Sequence, residues 1–341
     1  MSRRPRTGPL SIMLALALIP AFFGALLSGS GGLRLEALLQ VWQFIHTGQG
    51  DGTEALILFE LRLPRIILAM AVGASLGVSG AAFQGIFRNS LADPYVIGAS
   101  SGAALGAALA ITGGLSLSGP VSPVALCAFG GALIAVFLAF AISRSAGNPP
   151  PATALLLAGV SLSSLFSALL SLILVLKDQA LHQVYYWLLG SLNGASWTEL
   201  PAILPVMFIG CLMVFLSHGP LDLLLQGEEV AESLGTDVRK SRLCIVLGAS
   251  LAAAAAVSAA GIIGFVGLIA PHAMRMITGP THKKLLPVTA LAGALLVLLA
   301  DILARNLGGS MEIPIGIITS LGGAPFFIYL LAYRGRRLGR F

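Results

Sequence analysis

Charge is scarce in this sequence. Asp, Glu, Lys and Arg together make up 10% of its 341 residues, where a water-soluble domain carries about 25%. None of the four occurs between Tyr95 and Ser143, or between Ser145 and Leu176. Stretches of that length exclude a chain folded wholly in water. Nucleotide chemistry is missing as well: no Gly-x-x-x-x-Gly-Lys-Ser/Thr occurs, so the chain has no phosphate loop of its own. There is no HExxH, no nucleophile elbow and no paired-carboxylate constellation, which argues against an enzyme. Cysteine is scarce, and Cys127, Cys211 and Cys244 all lie in apolar segments without metal-ligand or disulfide spacing. They read as small core residues. His272 has no second ligand at helical spacing, so neither a metal nor a cofactor is expected.

What the sequence does have is hydrocarbon. Hydrophobic residues make up 57% of it, and the mean hydropathy is +0.93. A membrane helix needs about 20 mostly apolar residues. Ten segments qualify, at roughly 10–28, 66–87, 95–112, 121–143, 152–176, 200–217, 243–260, 262–278, 285–304 and 313–333. The seventh and eighth are parted only by a break near Gly261, so nine or ten spans are expected. The runs lack the period-two alternation of a barrel strand. The predicted fold class is therefore an all-α membrane protein, about ten transmembrane helices in one polytopic bundle forming a single domain over 1–341. The first segment follows Arg3, Arg4 and Arg6 as a signal peptide would, but it is long and no clear A-x-A site follows it.

The net charge of +6 raises the question of nucleic acid, yet the basic residues sit in short clusters between apolar runs. That placement orients a membrane protein. With ten spans and a cytoplasmic N-terminus, 15 of the 20 Lys and Arg residues fall inside and only Arg34, Arg62, Arg65, Lys177 and Arg305 fall outside. Both termini are then cytoplasmic, in a cytoplasmic (inner) membrane. Glycines at Gly73 and Gly77, and at Gly98, Gly102 and Gly106, repeat every four residues, which lets helix backbones approach closely.

Ion-coupled transporters usually keep ionisable residues at membrane depth. Here Asp301, Arg305 and Glu312 are placed at span ends by the segment boundaries, so the driving force is expected to come from a partner. The longest cytoplasmic loop, about 218–240, offers a contact for one. Its stretch QGEEVAESLGTDV is acidic where the other inner loops are basic. Gly227 and Gly235 bracket a short helical stretch; Glu228 and Glu229 fall in its first turn, where the helix dipole favours acids, and Glu232 follows. Val230 and Leu234 share one face.

Long motifs then point to a family. LRLPRIILAMAVGASLGVSGAAFQGIFRNSLADPYVIGASSGAALGA resembles the beginning of the FecCD-type permeases. GIIGFVGLIAPHAMRMITGPTHKKLLPVTALAGALLVLLADILAR and EIPIGIITSLGGAPFFIYLL are similar to the same family's C-terminal part, and LLAGVSLSS and WLLGSLNGASW fit it too. The resemblance implies ten helices per subunit and a pair of permeases, either a homodimer or close paralogues. It also implies two cytosolic ABC ATPase subunits and an extracytoplasmic substrate-binding protein. The cargo would be a bulky metal chelate: an iron(III)–siderophore complex first, cobalamin or haem as alternatives. By the same resemblance, Gly227, Ala231, Leu234 and Gly235 match an ATPase-docking pattern, and Arg62, Arg65 and Arg305 match arginines that meet the binding protein. Asn89 and Leu91 match an inner-gate loop that often reads Asn-Pro-Leu. This chain has Ser90 in place of the proline, which puts that loop's shape in question.

Overall fold

The computed structural model describes residues 7–28, 43, 47, 56–117, 119–147, 151–308 and 311–338. Among them lie thirteen α-helices and no strand. They are α1 (Thr7–Leu27), α2 (Leu63–Ile86), α3 (Ala99–Thr112), α4 (Pro123–Ser143), α5 (Ala152–Leu176), α6 (Leu181–Leu188), α7 (Leu200–Leu216), α8 (His218–Gln226), α9 (Glu228–Ser233), α10 (Val238–Ala260), α11 (Val266–Thr278), α12 (His282–Leu307) and α13 (Ile315–Leu338).

Each of the ten apolar segments lies on a helix. By length and composition, six helices of the described residues are long and apolar enough to cross a membrane: α1, α2 with the turn before it, α4, α5, α10 and α12. A seventh is obtained if α7 and α8, bent by 52° at Ser217, count as one. The apolar parts of α3 and α13 are shorter. α2 begins earlier than the sequence suggests, because a π-helical turn, Ile57–Arg62, runs straight into it. Pro64 follows in the first turn of α2; it has no N–H to give the Phe59 carbonyl five residues earlier, which accepts from Trp197 Nε1 at 2.7 Å instead.

Local chemistry sets several helix starts. Ser122 caps α4, its hydroxyl accepting from the Ala125 N–H at 3.2 Å, and Pro123 follows. Asp237 caps α10 by accepting from the Lys240 N–H at 2.9 Å. The break between α10 and α11 separates two helices: Gly261 has φ +67° and Phe265 has φ +67°. Freed backbone groups in such a break need partners at membrane depth. The Ala260 carbonyl accepts from the Ser191 N–H at 2.8 Å, and the Ile263 carbonyl accepts from the Tyr95 hydroxyl at 3.1 Å.

α2 is the central helix, buried around most of its circumference, and it packs against α12, α10 and α11. A Cβ placed on Gly73 would lie 2.2 Å from the Gly293 carbonyl oxygen, so only glycine permits this α2–α12 approach. α3 meets α4 in the same manner, with Gly102 against Gly131. By contrast α1 and α5 leave long apolar faces uncovered, such as Leu157, Val160 and Val175 on α5. Apolar side chains facing outward suit a lipid surroundings and a partner helix alike.

Candidate functional site: the two ends of the bundle

One end gathers the C-termini of α1 and α12, the start of α2 and the segment before α13. Asp301 is its hub. Its side chain is fully buried, and Oδ1 accepts from Arg65 Nε at 2.9 Å with Arg65 Nη2 at 2.8 Å. Arg305, one helical turn on, brings its Nε to 3.0 Å from Asp301 Oδ2. Arg65 also donates through Nη1 to Asn193 Oδ1 at 2.7 Å and to Glu312 Oε2 at 2.9 Å. The three arginines of the sequence reading are thus neighbours, but two of them are turned inward. Arg62 donates to the Leu26 carbonyl at 2.6 Å, and Arg305 donates to the Ala25 and Ser28 carbonyls, each at 3.0 Å. The last carbonyls of a helix have no intrahelical partner and sit at its negative end, so cations collect there. Arg65 keeps 14% side-chain exposure and is the member that reaches open space.

That space is a cavity of ≈ 840 Å³. Arg65, Asn193, Glu199 and Glu312 give it polar groups, while Tyr186, Trp187 and Ile315 give it apolar wall. The segment 188–191 is tied to the start of α13 beside it: the Ile315 and Gly316 N–H groups donate to the Gly190 and Leu189 carbonyls at 3.1 and 3.0 Å. Among the described residues no group of three or more His, Cys, Asp or Glu side chains gathers to hold a metal ion.

The opposite end carries α8 and α9. Gly227, with φ +131°, and Gly235, with φ +81°, delimit α9 as the sequence suggests. Ala231 faces inward and is fully buried, and Glu228 is ion-paired with Arg242 of α10. Glu229, Glu232, Val230 and Leu234 remain exposed, so two acids and two apolar side chains share an uncovered surface. α8 was not anticipated as a separate helix. Its Asp222 Oδ1 accepts from both the N–H and Nδ1 of His282 at the start of α12, each at 2.7 Å.

Beside α8 lies the loop after α2. Asn89 and Leu91 are both exposed, and Asn89 Oδ1 accepts from the Leu91 N–H at 2.9 Å. This Asx turn gives the loop a fixed bend without a proline at position 90. Further along, burial pushes the Asp93 carboxyl up to about 6, and the hydrogen bond from the Tyr95 N–H at 2.8 Å partly opposes that.

Sequence reasoning missed Asp301 as a site residue. It named the residue only by its place near a span end. The available signal was its i,i+4 spacing to Arg305 on one helix face. Arg275 was likewise placed only as a loop-side charge, yet it lies within α11 and donates through Nη1 to Gln84 Oε1 of α2 at 2.7 Å.

An apolar helical bundle with a cavity edged by charged groups at one end and a short exposed acidic helix at the other has the form of a membrane transport permease. Residues 13–333 match the FecCD transport family, and the chain belongs to that family. It is 47% identical over 89% of its length, and 81% of the relative's, to the cobalamin import system permease protein BtuC of Halobacterium salinarum. It is 39% identical to the iron(3+)-hydroxamate import system permease protein FhuG of Bacillus subtilis, over 95% of this chain and 97% of that protein. Among solved structures it is similar to an inward-facing conformation of a metal-chelate type ABC transporter. The TM-score there is 0.81, with 34% identity, covering 96% of this chain and 99% of the other.

Proposed function

We propose that this chain is the permease subunit of an ATP-binding-cassette importer that moves a bulky metal chelate across the cytoplasmic membrane. The observation that carries the reading is the pairing of the two ends: a cavity of ≈ 840 Å³ bordered by Arg65 and Glu312, and the exposed α9 surface opposite. A permease with no phosphate loop would draw on ATP through such a surface. Two ATPase subunits would dock on α8 and α9, with Gly227, Glu229, Ala231, Glu232, Leu234 and Gly235 forming the contact and Glu228 holding α9 to α10. A second permease copy, identical or a close paralogue, would complete the pathway, with ten spans per subunit and both termini cytoplasmic. Asn89 and Leu91 would border its inner gate.

An extracytoplasmic binding protein would dock at the other end. Arg65 is the arginine placed to meet its carboxylates, since a guanidinium can bond in two places at once. Arg62 and Arg305 support that surface by tying α1 to α2 and α12. An iron(III)–siderophore complex is the leading cargo. Cobalamin is the second reading, favoured by the 47% identity to a cobalamin permease, and haem is the third. Measuring the cognate binding protein's affinity for a ferric hydroxamate, cyanocobalamin and haemin tests the assignment. Tight binding of one class alone fixes the cargo, and binding of neither these three nor ferric citrate would remove the metal-chelate reading.

A further inference from the structure

α2 ends in a tight cap. The Arg88 N–H donates to the Gly85 carbonyl at 3.3 Å and the Asn89 N–H to the Gln84 carbonyl at 3.2 Å. This is the paired pattern of a Schellman motif, with Arg88 at the left-handed position. Its φ is +49°. Glycine ordinarily fills that position because a Cβ is disfavoured there. An arginine held in it points to a job for the side chain.

The side chain reaches α8. Arg88 Nε donates to the Leu224 carbonyl at 2.9 Å, in the last turn of α8, where that oxygen also accepts from the Gly227 N–H at 3.3 Å and the negative end of the helix attracts cations. The backbone beneath is seated on the same helix. A Cβ on Gly85 would lie 2.9 Å from Leu221 Cδ2 and 2.9 Å from His282 Nε2. Asp222 of α8 in turn holds His282. α8 is therefore joined to the end of α2 by a side-chain hydrogen bond and by direct packing. The next residue along the chain is Asn89, whose side chain fixes the bend at Leu91.

We propose that Arg88 is the positioning residue that carries movement of the α8–α9 unit into the Asn89–Leu91 loop. The proposal rests on the functional reading above, in which an ATPase docks on α8 and α9. A displaced α8 pulls the guanidinium, and the left-handed Arg88 turns the peptide that begins the loop. Without the guanidinium, α8 would still bind its partner but the loop would follow it poorly.

The test uses the complete transporter in liposomes, with Leu91→Cys as reporter and Cys127, Cys211 and Cys244 replaced by alanine. N-ethylmaleimide labelling is compared between nucleotide-free complex and complex trapped with ATP and vanadate. With Arg88 present, the labelling rates are expected to differ at least about fivefold, a usual size for coupling between sites. Arg88→Gly suits the backbone but lacks the guanidinium; it should cut the difference below about twofold while ATP hydrolysis persists. Arg88→Lys, which keeps a cation, should restore part of it. A difference undiminished in Arg88→Gly would overturn the proposal. So would loss of the ATPase subunits from that variant, since Arg88 would then be a prop for docking. No nucleotide-dependent difference in the Arg88 parent would instead refute the placement of Leu91 at a moving gate, and the proposal with it.

Discussion

Removing the Asp301 carboxylate should destabilise the bundle more than any other single change at the end that gathers the arginines. The side chain is fully buried and stands against two guanidiniums, Arg65 at 2.8 Å and Arg305 at 3.0 Å. Asp301→Ala leaves both cations without their shared counter-ion. Taking one partner from a buried pair costs about 3–5 kcal/mol, because the remaining charge stays desolvated. Arg65 retains Glu312 and Arg305 retains two carbonyls, which places the expected loss near the lower figure. Asp301→Asn keeps an acceptor for Arg65 Nε but no charge, and should lose less, about 1.5–3 kcal/mol. Unfolding of the purified protein in mixed micelles titrated with dodecyl sulfate, followed by helical circular dichroism, would measure both. The double variant Asp301→Ala with Arg65→Ala should lose less than the sum of the two singles by about 1 kcal/mol or more. An Asp301→Ala protein within about 0.5 kcal/mol of the parent, which is the range of ordinary surface substitutions, would refute the view that this carboxylate organises that end of the bundle.

Gly293→Leu should prevent the close α2–α12 approach, so the folded yield in membranes should fall sharply; a normal yield would mean that the helices can part without penalty. Asp93 is held protonated more readily in the folded chain than in the unfolded one, since burial raises its carboxyl to about 6. Its contribution to stability is therefore fully present below about pH 4 and is lost as pH rises through about 6. Asp93→Asn should flatten the thermal-stability profile across that interval, and an unchanged profile would assign the dependence elsewhere. Replacing 228–232 with a Gly/Ser linker should leave membrane insertion intact while uptake is lost, whereas normal uptake would remove α9 from the coupling role. Arg65→Gln, which keeps a donor for Asp301, should slow association of the binding protein, most at low salt, since charges at the edge of an interface chiefly set encounter rates; an unchanged rate would confine Arg65 to its internal partners.

The helices were legible because apolar runs of membrane length are written directly in the sequence, and every run anticipated lies on one. The break at Gly261 was legible too, as a glycine in an apolar stretch. The π-helical turn before α2 was not, because Glu60 and Arg62 interrupt the apolar run that marks a span. α6 escaped notice since its eight residues, with Tyr185 and Tyr186 exposed, fall short of membrane length. α9 was readable from its bracketing glycines and acidic first turn. Arg62, Arg65 and Arg305 were readable as anomalies of charge placement, but the direction of their side chains was not. That direction depends on the orphan carbonyls of α1, a helix far away in sequence, and no local pattern announces it. The same holds for Asp301, whose partner Arg65 lies 236 positions earlier.

The account rests on ATP-driven, binding-protein-dependent passage of a chelate through this chain. The most direct measurement is uptake into sealed proteoliposomes that hold the permease and its ATPase subunits. The cognate binding protein, loaded with the labelled chelate it binds, is supplied on the opposite side. Accumulation should require ATP, the ATPase subunits and the loaded binding protein together, and should stop when any one is withheld. Accumulation driven by a proton or sodium gradient with the ATPase subunits absent would contradict it.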